Sequence, residues 1–287
     1  MKATVTPHGG LFGPESITWR VHTETLGRPA ALRAFQLQAL HPRTIRGIAQ
    51  NCVLDDPEVA HARLRRQLDF VTVRTFGTAE QAERAGERIR QVHARLIGLD
   101  TDNGVLFRVD EQENLRWAHC AEVSSFLELA RRSGVPLTAA EADAYVAEQR
   151  RSALLVGARD VPGDVAGLRA YLDGMLPHLA ATDEARDALR RTVSPRLSFR
   201  LALRTPPLTL GSLPAAGALA FATLPGWARR MYGCDGDSAA GYAADVALKA
   251  LRAAATAMPE SLVEPEIRAA RGLMRAPAGA PGTGVAA

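Results

Sequence analysis

The chain has 287 residues, 47% of them hydrophobic and only 5% aromatic, so a sizeable core must be built mainly from Leu, Val and Ala, a mix that favours helices over sheets. The net charge of +4 is almost all arginine, with lysine only at Lys2 and Lys249; the arginines alternate with Asp and Glu, so no basic stripe marks a nucleic-acid binder. Cys52, Cys120 and Cys234 are odd in number and lack C-x-x-C spacing, which argues against a disulfide framework or a zinc knuckle and points to a reducing cytoplasm.

In chain order, residues 1–28 read as an irregular arm with no apolar signal core behind Lys2. A helix is expected from Pro29 to Leu40, stopping at His41-Pro42, and a short one from Thr44 to Cys52. Asp56-Pro57 gives an N-cap and a first-turn proline for a helix that ends near Phe76-Gly77. Thr78 and Gln81 form a capping box for the next helix, whose stripe is Ala82, Ala85, Ile89, Val92 and Leu96, with Gly98 as the expected C-cap. Asn103-Gly104 before Val105-Leu106-Phe107 predicts a small hairpin.

Further helices are expected over Glu111–Arg132, from the Thr138/Glu141 capping box to Val156, from Asp164 to Leu179, and from Asp183 to Thr192. Residues 195–235 read as short packed helices. The apolar stretch Leu208–Trp227 is broken by Pro214 and Pro225, so it falls short of a membrane span but leaves room for a peripheral membrane contact. An alanine-rich helix follows over Ser238–Ala257, and residues 276–287 are expected to be disordered. With no linker and no repeat, residues 29–275 read as a single globular multi-helix domain, all-α with at most a small β-hairpin.

Several motifs fail their contexts. Gly9-Gly10-Leu11-Phe12-Gly13 lacks the strand and helix of a phosphate loop, and Asp235-Gly236-Asp237 lacks the closing acid of a calcium loop. None of the seven histidines pairs with another at i, i+4, so a zinc or di-iron site is unsupported.

Three segments in order carry more information: Leu37-Gln38-Ala39-Leu40-His41-Pro42; Asp55-Asp56-Pro57 with Arg63-Leu64-Arg65-Arg66-Gln67 and Thr75-Phe76-Gly77; and Arg88 to Gly98, which contains Val92-His93-Ala94. Leu115-Arg116-Trp117-Ala118-His119 and Tyr145-Val146-Ala147-Glu148 follow. Over about residues 28 to 235 the chain resembles the MpaB-type/latex-clearing-protein (rubber oxygenase) haem oxygenase superfamily. The resemblance implies an all-α fold around a b-type haem (haem b, iron), which acts with dioxygen or peroxide on an apolar organic substrate such as an isoprenoid or a secondary metabolite. It maps the iron-ligating histidine onto His93, and the arginine and hydroxyl residue that assist oxygen chemistry onto Arg63 and Gln67. Gln67 departs from the family's threonine.

Read physically, His93 lies at the edge of its helix's apolar stripe, where an imidazole reaches an apolar slot or hydrogen-bonds a backbone carbonyl as a core histidine. Arg63 and Gln67 share a helix face, as donors for developing negative charge or as surface polar residues. His119 is a second candidate ligand or a core histidine near Glu122, and Arg90 and Arg66 are propionate partners or ordinary surface charges. The rival functions are a non-catalytic helical protein that binds an apolar ligand or a partner helix, and a haem carrier or sensor.

Overall fold

The computed structural model describes residues 3–5, 10–24, 26–53, 55–196, 207–234 and 238–275. Among them are thirteen α-helices and one two-stranded antiparallel sheet. The expected all-α class with one small hairpin is what the chain adopts.

The helices are α1 (Ile17–His22), α2 (Gly27–Gln38), α3 (Pro42–Asn51), α4 (Pro57–Phe76) and α5 (Ala79–His93). Strands β1 (Ile97–Asp100) and β2 (Val105–Arg108) come next, followed by α6 (Gln112–Arg132), α7 (Ala139–Leu155), α8 (Val165–Met175) and α9 (Asp183–Val193). The series closes with α10 (Pro207–Ala222), α11 (Gly226–Met231), α12 (Ser238–Thr256) and α13 (Pro265–Arg275).

The local signals set most of the helix starts. Asp56 accepts from the Glu58 and Val59 amides at the head of α4, and Thr78–Gln81 and Thr138–Glu141 form complete capping boxes on α5 and α7. Four expectations fail. The N-terminal arm contains α1, capped by Ser16. Helix α5 stops at His93 instead of running to Gly98. The segment beyond it extends as β1, where Gly98 pairs with Phe107 and has the Phe107 ring packed against it, leaving no room for a Cβ. The absence of a side chain at Gly98 serves that ring, not a helix cap. In residues 195–235, the described part includes one helix, α10, that runs through Pro214, because its Leu213, Gly217 and Ala220 are buried and α2 and α9 hold it from the side. Helix α13 was not expected at all. The Asp235–Asp237 loop and the tail at 276–287 lie outside the described residues.

Helix α6 is the centre of the packing. Most of its length is buried, and α2 lies along it more intimately than any other pair of elements. Buried polar groups cross between them in satisfied pairs. Trp117 Nε1 donates to the Gln38 carbonyl, Gln38 Nε2 donates to the Ala118 carbonyl, and Arg33 donates to Ser125 Oγ. Helix α4 is divided. Its last turns, Val71 and Val73 to Phe76, are buried, and Trp19 Nε1 donates to the Thr75 carbonyl. No residue from Pro57 to Phe70 is fully buried. Among the described residues no helix is long and apolar enough to cross a membrane.

Candidate active site

The partly exposed half of α4 forms one wall of a cavity of about 120 Å³. Ala31, Leu32 and Phe35 of α2 line it, together with Ala60, His61, Arg63, Leu64 and Gln67 of α4, Thr192 of α9 and Leu213 of α10. The residues that alternate on the cavity face of α4 are spaced at three and four, so a single helical stripe supplies the apolar wall and the polar groups together. Arg191 pairs with Asp55 across the rim at 2.7 Å.

Arg63 is the unusual group. Its guanidinium lies over the Phe35 ring, 5.1 Å from the centroid, and has no carboxylate or hydrogen-bond partner among the described residues. Burial pulls it below the ordinary arginine range, and Arg66 pushes the same way. A desolvated guanidinium without a counter-ion is costly unless something else fills that role. Gln67, four residues on, also lines the cavity, and its amide Nε2 donates to Glu122 Oε2 at 2.9 Å. The other Glu122 oxygen binds Arg74, and both members of this pair are buried, at 6% and 4% exposure.

His93 ends α5 and does not line this cavity. It is half-buried; its Nδ1 is shut off from solvent, and neither ring nitrogen has a hydrogen-bond partner among the described residues. Burial lowers its affinity for a proton; Asp110 opposes that, and Arg63 adds to it. Arg63 therefore stands between the two environments, lining the cavity with its side chain and reaching His93 with its charge. Val92 beside it and Ile97 beyond it are 51% and 56% exposed, so the surroundings of His93 are not a filled core.

The other expected residues lie apart. Arg90 is committed to the Leu155 carbonyl at 2.6 Å and to Glu83 at 2.8 Å, so it braces α5 against the end of α7. Arg66 is exposed. His119 is buried in the interior, and burial, then Arg74, push it down to about 3. Sequence reasoning missed His61, which lines the cavity itself, and the Arg74–Glu122 pair behind Gln67. The position of His61, one turn after Pro57 and one turn before Leu64, was the available signal.

Among the described residues there is no cluster of three His, Cys, Asp or Glu side chains for a bare metal ion. A haem asks for less, namely one neutral imidazole, apolar walls and a cationic group. The donor set fits it: His93 is a half-buried imidazole whose affinity for a proton is lowered and whose ring nitrogens have no partner among the described residues, and Arg63 is a cation nearby without a carboxylate partner among them. The existing cavity is smaller than the ~300–1,000 Å³ of most cofactor and ligand pockets.

Compared with known proteins, residues 19–258 match the family described as ER-bound oxygenase mpaB/B′/rubber oxygenase, catalytic domain. No curated protein and no solved structure matches.

Proposed function

From a chain that belongs to the mpaB/rubber oxygenase catalytic-domain family, we propose a haem b-dependent oxygenase that uses dioxygen, or peroxide, on an apolar organic substrate. The observation that carries the reading is Arg63: a half-buried guanidinium with no carboxylate or hydrogen-bond partner among the described residues, at the wall of an apolar cavity and within electrostatic reach of His93.

On this reading His93 would hold the haem iron. The haem, when bound, supplies the activation of the oxidant. The chain's own residues do the rest. Burial keeps the His93 imidazole neutral, so its lone pair is available near pH 7. Arg63 holds its N–H groups at the cavity wall as fixed donors for negative charge that develops there. Ala31, Leu32, Phe35, Leu64 and Leu213 bind the apolar substrate and exclude water. A haem would need more room than the cavity holds, and the adjoining turns of α4, from Pro57 to Phe70, contain no fully buried residue. The three free cysteines fit a reducing cytoplasm.

The test is the absorption spectrum of protein produced with haem supplied. A Soret band is expected in the wild type and in His61→Ala, and its loss or a changed ligand field in His93→Ala. A colourless wild type ends the haem reading; a His93→Ala protein with unaltered spectrum and haem content removes His93 as the ligand. Oxygen uptake with apolar substrates then separates an oxygenase from a haem carrier or sensor.

A further inference from the structure

The amide of Gln67 faces the cavity in one orientation only. Glu122 accepts from Arg74 through one carboxylate oxygen and meets Gln67 with the other, so the group on Gln67 that faces this acceptor is the amide nitrogen. With Nε2 at 2.9 Å from Glu122 Oε2, the carbonyl oxygen Oε1 remains. That oxygen has no hydrogen-bond partner among the described residues, and Gln67 lines the cavity. The cavity thus presents an acceptor on Gln67 and, one helical turn away on the same face, donors on Arg63.

We propose that this pair selects a hydroxyl group: the cavity takes an apolar molecule that carries one alcohol or phenol O–H, which donates to Gln67 Oε1 and accepts from Arg63. Glu122 is the positioning residue, since its carboxylate holds the amide and keeps Oε1 turned to the cavity. Other polar groups match less well. A ketone or ether offers acceptors to Arg63 but leaves Gln67 Oε1 facing an acceptor or nothing. A carboxylate satisfies Arg63 but meets Gln67 Oε1 with its own lone pairs. Arg63 has five N–H donors, so one contact to a hydroxyl leaves others for the oxidant. The inference rests on the oxygenase reading for what happens to the bound molecule, whereas the binding preference is independent of it.

The test is calorimetric binding of four chain-length-matched probes, 1-octanol, 1-methoxyheptane, octane and octanoate, to the full-length protein as isolated. The expected result is 1-octanol bound about tenfold more tightly than the ether or the hydrocarbon, the range of one buried hydrogen bond, with octanoate no better than 1-octanol. The alcohol-over-ether preference is expected to vanish in Gln67→Met and to shrink in Glu122→Gln, which lets the Gln67 amide turn over. Equal binding of alcohol and ether, binding of none of the probes, octanoate as the tightest, or a preference that survives Gln67→Met overturns the proposal. The wild-type comparison needs no variant and stands even if Glu122→Gln fails to fold. The Soret band of the same sample reports separately on the oxygenase reading, so a colourless protein that still prefers the alcohol refutes that reading alone.

Discussion

A cation without a counter-ion costs the fold free energy, and Arg63 is such a cation at the cavity wall. Activity and stability should therefore part at this position. Arg63→Met keeps the volume over Phe35 and removes the donors, so turnover should fall by about 10²–10³. The melting temperature should hold or rise, because no ion pair is lost. Steady-state kinetics and a thermal melt on one preparation check both halves; a parallel loss of fold and activity would make Arg63 merely structural. Arg63 and Gln67 were legible in the sequence as a pair because four residues on a helix is a local relation. Their setting was not. Gln67 meets Glu122 across 55 residues of chain and Arg74 meets it across 48, and no spacing rule reaches that far. That distant carboxylate takes one of the two amide N–H donors of Gln67.

Helix starts were read well wherever a side chain caps its own helix, as at Asp56, Thr78, Thr138 and Asp164. The misreadings fall where tertiary contacts decide. Strand β1 owes its form to β2 and to the Phe107 ring on Gly98. Helix α10 passes through Pro214 because its opposite face is clasped. That clasp gives a prediction for the element. Gly217 lies so close to the Thr192 carbonyl that a Cβ there would overlap it, and Gln36 Nε2 donates to both the Gly217 carbonyl and Thr192 Oγ1. Gly217→Ala should push α10 off α9, cost about 1–3 kcal/mol or more and enlarge the cavity beside Thr192 and Leu213. Urea unfolding measures the cost. Gly174→Ala, where a Cβ meets nothing within 4 Å, is the control and should not destabilise.

At the scale of the whole molecule, two histidines make the fold sensitive to acid. His22 lies 3.0 Å from both Thr75 Oγ1 and Tyr145 Oη, and burial first, then Arg74, hold it at about 3. His119 is held at about 3 for the same reasons. The unfolded chain takes up both protons as the pH falls below about 6.5, and the folded chain does not until near 3. Stability is thus full above pH 6.5 and declines beneath it, by roughly 1.4 kcal/mol per histidine per pH unit. Denaturant midpoints measured at pH 7.5, 6 and 5 should show the decline, and His119→Gln should reduce its slope. A midpoint flat from pH 7.5 to 5 would contradict it. At this scale the overall class was the most legible feature, since a Leu- and Ala-rich composition and ordered caps leave few alternatives to a helical bundle.

The divided burial of α4 has a mechanical consequence. Buried at Val71 and from Val73 to Phe76 and only partly covered from Pro57 to Phe70, the helix has roughly 21 Å of arm beyond its buried end, so a tilt of about 5° at the base would swing its tip by about 2 Å. That stroke breaks no hydrogen bond along the rod, yet it carries His61, Arg63 and Gln67 as one rigid set. The wall of the pocket can yield to a guest without disturbing the spacing of the groups that greet it.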